Sequence, residues 1–229
     1  METKKLKIGF LLVSNLTQLD FTGPYEVFSR LEEVEVFTVA KVRGPVRSEF
    51  GLTFIADHDF GTTPQLDLIC VPGGGGTLDA SVDGETLLFL RRQAEKAQWI
   101  TSVCTGALLL GAAGLLKGYK ATTHWLSLDL LEHVGAIPIS ERVVKDRNRI
   151  TGGGITAGID FGLYLVAELF GQNRAQQIQL MMEYNPHPPF QCGHPSVAPT
   201  KLVAEVAHAC QALQEKRRKF YANLSTGNL

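Results

Sequence analysis

Cys104 stands where a nucleophile would have to stand. It follows the apolar run Trp99-Ile100-Thr101-Ser102-Val103 and precedes Thr105-Gly106 and the small, aliphatic stretch Ala107 to Ala113. A strand that turns sharply into a helix tolerates little bulk and lifts the residue at the turn to the carboxyl edge of the sheet. At a helix start, unpaired N–H groups and the dipole favour a thiolate, so the pattern predicts a thiol drawn down toward neutral pH. The same pattern also suits a buried structural cysteine. Two other segments bear on the choice. In Pro72-Gly73-Gly74-Gly75-Gly76 the backbone N–H groups can approach a ligand closely, with Gly74 and Gly75 as candidates for an anion hole, although such a run also reads as a flexible loop. It lacks the Gly-Lys-Ser/Thr ending and the dinucleotide spacing of nucleotide loops. Asp20, in Gln18-Leu19-Asp20-Phe21-Thr22-Gly23-Pro24, is an acid in the first βα connection if the sheet is parallel, and equally a helix cap.

Other chemistry-bearing residues carry less. His124 reads as a base near the site or as a satisfied structural histidine. Asp160 reads as a buried, paired structural acid. Cys70 lies inside an apolar strand, and Cys192 and Cys210 have no metal-like partners. With four widely spaced cysteines and no Cys-x-x-Cys pair, neither a zinc site nor a disulfide framework is signalled. The run Lys216-Arg217-Arg218-Lys219 reads as a solvated basic helix end, favourable to the dipole, rather than as a nucleic-acid contact.

The elements that must position these groups alternate strand and helix, the pattern of a parallel sheet covered on both faces. Strands are expected at 7–13, 35–40, 67–71 and 99–103, with a helix beginning near Thr22 because Pro24 suits an early helical turn. Two short β-prone runs around Gly51 predict an antiparallel excursion between Val46 and Asp57. Asp83 is placed to cap a helix running to about Gln98. Further helices are expected from about Thr123 to Val134, to Phe170, from Arg174 to Tyr184 and from Thr200 to Tyr221. A hairpin is expected across Arg147-Asn148.

Composition narrows the function classes. The chain has 229 residues, 45% of them hydrophobic and 20% charged, which fits one packed α/β domain and neither a disordered nor a fibrous protein. With 22 basic and 23 acidic residues the net charge is -1, so electrostatics give no reason to expect nucleic acid or an anionic membrane as partner. No apolar run approaches the roughly 20 residues of a membrane span. Leu6 to Val13 is too alternating for a secretory leader, so a cytoplasmic protein acting on a small molecule is expected.

Taken together, the stretches quoted above, with Ala121-Thr122-Thr123-His124-Trp125 and Thr151-Gly152-Gly153-Gly154-Ile155-Thr156-Ala157-Gly158-Ile159-Asp160, resemble the DJ-1/PfpI superfamily over nearly the whole chain. Within it the likeness is to the branch that hydrates isocyanides. Relatives of protease or chaperone type commonly carry Glu where Asp20 stands, and PfpI-type proteins carry His where Thr105 stands, which argues against a peptidase. The resemblance implies a flavodoxin-like α/β sandwich, a homodimer, and one domain over 1–229 with a helical extension at about 186–229. It assigns Cys104 as nucleophile, Asp20 as acid/base and Thr105 as a positioning neighbour. The implied reaction adds water to an isocyanide through a Cys104 thioimidate, giving an N-substituted formamide without metal or organic cofactor. Two alternatives stay open: a glyoxalase-type enzyme acting on α-oxoaldehydes, and a ligand or redox sensor, because AraC-type regulators share the Gly-Ile-Thr-Ala-Gly-Ile-Asp stretch.

Overall fold

The computed structural model describes residues 5–226. Met1 to Lys4, ahead of the Leu6 to Val13 run, and Gly227 to Leu229, the end of the expected 1–229 domain, lie outside that range. Strands β1 (Leu6–Leu11), β2 (Val34–Val39), β3 (Gly44–Arg47), β4 (Thr53–Ala56), β5 (Leu68–Val71), β6 (Trp99–Val103), β7 (Lys120–Ala121), β8 (Ile137–Pro138), β9 (Val143–Asp146) and β10 (Arg149–Gly152) alternate with helices. The α-helices are α1 (Gln18–Phe28), α2 (Thr77–Ala80), α3 (Gly84–Ala94), α4 (Gly106–Ala112), α5 (Leu130–His133), α6 (Ala157–Phe170), α7 (Gln172–Met181), α8 (Thr200–Ala209) and α9 (Gln211–Thr226).

A six-stranded sheet runs in the order β2-β1-β5-β6-β10-β9, parallel throughout except for the edge strand β9. Its central strand β5 is an unbroken, fully buried apolar run because both faces are covered. Alternation along β5 sends Leu68 and Cys70 to one face, with α1, α6 and α7, and Ile69 and Val71 to the other, with α3, α4, α5 and α9. This is a flavodoxin-like α/β sandwich. Parallel pairing brings the carboxyl ends of β1, β5, β6 and β10 to one edge, so the loops after Leu11, Val71, Val103 and Gly152 converge there.

Several expected boundaries shift. Helix α1 begins at Gln18, four positions before Thr22, because the extended Thr17 is held by its N–H on the Gly73 carbonyl at 2.9 Å. Asp20 is therefore inside the first helical turn, neither in the connection nor at the cap, and Pro24 lies mid-helix. Asp83 does cap α3, accepting the Thr86 N–H at 3.2 Å, but that helix stops at Ala94. The expected helix over 123–134 is a 3-10 turn, Trp125–Ser127, followed by the short α5. The expected last helix divides at Cys210: no residue of α8 is buried, whereas α9 turns onto the body and buries Tyr221. The β3–β4 excursion and the β9–β10 hairpin are where periodicity placed them, with Arg147 in the left-handed region at the hairpin turn. Among the described residues no helix is long and apolar enough to cross a membrane.

Candidate active site

The junction of β6 and α4 is a strained bend. Cys104 has φ 56°, in the region that side chains other than glycine avoid at a cost of about 1 kcal/mol or more. Three contacts hold it there. Its N–H is shared between the Gly152 and Gly153 carbonyls, both at 3.0 Å, and its carbonyl accepts the Thr123 hydroxyl at 2.7 Å. The residue type at 106 is dictated by space, since a Cβ there would lie 2.0 Å from the Val71 carbonyl oxygen.

Asp20 meets this bend from α1. Its carboxyl is fully buried; Oδ2 accepts the Gly73 N–H at 3.0 Å, and the Cys104 thiol contacts the group more loosely, leaving Oδ1 without a partner of regular hydrogen-bond geometry. Burial, opposed by the Gly73 and Cys104 contacts and reinforced by the Glu49 charge, pushes Asp20 up to about 7. The thiol moves the same way. Burial first, and the Asp20 charge second, raise Cys104 well above the ordinary cysteine range, against the pull of the Thr105 and Ile155 backbone N–H groups and the Arg217 cation. The sequence-based expectation of a depressed thiol is thus overturned in direction: α4 has only seven residues, and its field is weaker than desolvation at a buried sulfur.

Thr105 is buried with its Oγ1 accepting the Gly74 N–H at 3.0 Å, so it ties the elbow to the glycine loop. This contact takes Gly74 out of the proposed anion hole. Gly75 lies beside an acid, where a Cβ would meet Glu49 Oε1 at 3.2 Å, a poor place to gather negative charge. The backbone N–H groups that favour an ionised sulfur are those of Thr105 and Ile155. Gly73 matters for room: a Cβ there would be 2.6 Å from Thr105 N and 2.8 Å from Asp20 Oδ2. Elbow, acid and threonine are therefore brought together, by loops from three strands.

A family model for DJ-1/PfpI matches residues 6–168. The chain belongs to the DJ-1/PfpI family. It is 54% identical over 200 residues to the isonitrile hydratase of Pseudomonas putida, covering 87% of this chain and 88% of that one. A crystal structure of a ThiJ/PfpI family protein from Pseudomonas syringae superposes with a TM-score of 0.93 at 45% identity, over 96% of this chain and 91% of the other. The HTH-type transcriptional regulator GbdR of Pseudomonas aeruginosa is 32% identical over 185 residues, 77% of this chain, which spans 50% of the regulator's length.

Beside the elbow of this DJ-1/PfpI chain lies a cavity of about 420 Å³, walled by Thr123, His124, Trp125, Leu128 and Ile155 among others. Two of its wall residues, Thr123 and Ile155, also contact Cys104. His124 is in the cavity wall: Nδ1 accepts the Leu126 N–H at 3.3 Å, and burial, then the Arg217 cation, holds the imidazole below its ordinary range. Asp160 is paired, with Arg142 and with Tyr184 Oη at 3.1 Å, but its side chain is 33% exposed rather than buried. Cys70 is core, and Cys192 and Cys210 are half-buried free thiols. Among the described residues no three His, Cys, Asp or Glu side chains gather to hold a metal.

Two contributors escaped the sequence. Ile155 acts through its backbone N–H, which no residue type advertises, though its place after Gly152-Gly153-Gly154 at the carboxyl end of β10 was a usable signal. Arg217 was hidden in a basic cluster; its spacing from Gln214 and Tyr221, one helical face, was the available clue.

Proposed function

We propose that this protein hydrates isocyanides to N-substituted formamides, with Cys104 as nucleophile and Asp20 as acid/base. The observation that carries the reading is a fully buried carboxyl, held by the Gly73 N–H at 3.0 Å with its second oxygen left unpartnered, on the same edge as the strained Cys104 elbow. The 54% identity to a protein named isonitrile hydratase supports the substrate class. With one proton on the pair, Asp20 takes it from sulfur as Sγ bonds to the terminal carbon, then delivers it to that carbon. The product is a thioimidate, S–CH=N–R. While sulfur carries negative charge, the Thr105 and Ile155 N–H groups stabilise it, as they also do when it leaves. Water adds to the imidate carbon, its protons passing to nitrogen and back to the Asp20–Cys104 pair. Collapse then breaks the C–S bond and releases R–NH–CHO. Thr105 keeps the acid, elbow and glycine loop in register, and the adjoining cavity has room for an alkyl or aryl substituent.

The reading treats the chain as one catalytic domain that works as a homodimer in the reducing cytoplasm. Four free cysteines suit that compartment, and the exposed apolar residues Leu202 and Val206 on α8 suit a second copy. Sedimentation at twice the chain mass is expected. The decisive test is a panel of alkyl and aryl isocyanides with formamide detection and methylglyoxal as a control. Wild-type protein should form formamide and a mass adduct on Cys104, and Cys104→Ala should form neither. Undiminished turnover by Cys104→Ala, or turnover of methylglyoxal alone, would overturn the proposal.

A further inference from the structure

The basic cluster on α9 is not uniform. Arg218 is exposed and reaches Asp129 at 2.9 Å, whereas Arg217 turns inward and is only 7% exposed. Gln214, Arg217 and Tyr221 are all buried, so one face of the helix enters the body. With the Gln214 amide assigned so that its nitrogen faces acceptors and its oxygen faces Arg217, the nitrogen donates to the Leu126 carbonyl at 3.1 Å and Ser127 Oγ at 3.0 Å, and the oxygen accepts Arg217 Nη1 at 3.1 Å. Tyr221 anchors the far end, its hydroxyl 3.2 Å from Ser81 Oγ. These contacts fix the guanidinium against the turn that follows His124 without neutralising it. Arg217 Nε is buried with no hydrogen-bond partner, and among the described residues no carboxylate forms an ion pair with Arg217.

A buried cation with no counter-ion among the described residues is costly, and an anion arising nearby during function offsets that cost. The charge of Arg217 reaches two groups of the site, favouring the ionised sulfur of Cys104 and disfavouring a charged His124. Asp20 is the acid in contact with the sulfur, but it is largely protonated below about 7 and, when ionised, opposes the thiolate. At α5, which packs against α9, the cap residue Asp129 is held by Arg218, Glu132 is exposed and His133 is half-buried; on α8, which also packs against α9, Lys201, Glu205 and His208 are exposed; Tyr221, on α9 itself, is buried and held neutral, pushed up to about 12 by burial. A forming thiolate is the anion that the arrangement leaves for Arg217.

We propose that Arg217 is a positioning residue for the cysteine chemistry: the fixed counter-charge, built into the last helix, that lets a deeply buried sulfur ionise as it attacks and again as it departs. This rests on the reading of Cys104 as nucleophile. In the full chain, the rate of Cys104 alkylation by iodoacetamide, followed by intact mass and peptide mapping across pH 5 to 10, reads the sulfur directly without reference to substrate. Arg217→Met should move the profile upward by about one pH unit and slow alkylation at pH 7 about tenfold. The kcat for formamide formation should fall more than KM rises. Arg217→Lys, which keeps the charge but loses the planar fork, should restore most of the profile. Thermal melts establish folding, and Arg217→Gln replaces the Met variant if that does not fold. A folded neutral variant whose alkylation profile superposes on wild type would overturn the inference, as would Arg217→Lys shifting as far as Met. If the wild type makes no formamide yet the profile moves, the substrate reading fails and this role stands. Formamide production with an unmoved profile means the reverse.

Discussion

Cys70 and Cys104 are two buried thiols on adjacent strands of one sheet, and only one is placed to react. Desolvation is the first cause pushing both upward, and the Asp20 charge adds to it in both cases. The difference lies in what opposes that push. Cys70 is in mid-strand, its backbone paired in the ladder with Phe10 and Thr101, and the one group that opposes the push is the neighbouring Thr101 side chain, whose hydroxyl also donates to the Ile69 carbonyl at 2.7 Å. Cys104, one residue beyond its strand, is opposed by the Thr105 and Ile155 backbone N–H groups and by the Arg217 cation, and it has the buried Asp20 carboxyl beside it to share its proton. Burial alone makes a thiol inert. Reactivity belongs to the edge, where a strained turn frees the sulfur to face donors supplied by other loops.

The sharpest way to break this contrast is to remove the acid. On the proposed reaction, Asp20→Asn should lower kcat by roughly 10²–10⁴-fold, the range for a lost acid/base, while leaving the fold intact. The same variant has a stability signature that a merely packing role would not produce. Asp20 goes from an ordinary value of 3.8 to about 7 in the folded protein. A raised folded value means that its contribution is complete below 3.8 and is lost as pH rises toward 7, since above that point a buried carboxylate must be ionised. The amide of the variant cannot ionise. The difference in unfolding free energy between the Asp20→Asn and wild-type proteins should therefore grow in favour of the variant between pH 4 and 7, as measured by urea denaturation at several pH values. A constant difference across that window would show that Asp20 titrates normally and would remove the basis for its role.

A smaller effect is expected from crowding the site without touching a reacting group. A Cβ at Gly73 would press on Thr105 N, Thr105 Oγ1 and Asp20 Oδ2 at 2.6, 2.7 and 2.8 Å, so the elbow and α1 must move apart. Gly73→Ala should cost about 1–3 kcal/mol of stability and about 10² in kcat, because displacing the acid by a fraction of an ångström spoils proton transfer. Melting temperature and turnover check the two halves separately. Full activity in this variant would mean that the spacing of Asp20 from the sulfur is unimportant.

The fold was largely legible because its signals are local. The unbroken apolar run of β5 marks a strand covered on both faces, Arg147-Asn148 marks the hairpin, and small residues around Cys104 mark the bend. What escaped depends on contacts between distant parts of the chain. The start of α1 is set by the Gly73 carbonyl holding Thr17, which no local propensity reports. The direction of the Cys104 shift is not legible, because a helix start is visible in the sequence whereas complete desolvation is not. Arg217 carries the periodicity of a buried face, but charge in a basic run outweighs periodicity in a local reading, and only the packing of α9 shows which arginine turns inward. Asp20 was found by topology: a parallel sheet sends its first connection to the same edge as the elbow.

The mildest change probes the other side of the comparison. Cys70→Ala deletes one sulfur from a strand interior in contact with apolar neighbours, and the expected loss is about 1 kcal/mol of stability, read as a small fall in melting temperature. Turnover should stay within about twofold of wild type, since the Asp20–Cys104 contact lies beyond the strand end and the smaller side chain leaves the ladder unaltered. Adduct formation should remain on Cys104 with an unchanged pH profile. The result discriminates because Cys70 also feels the Asp20 charge. If removing Cys70 moved the alkylation profile of Cys104 by as much as removing Arg217, the two sulfurs would be titrating as one system, and reactivity would have to be assigned to the sheet interior as well as to its edge.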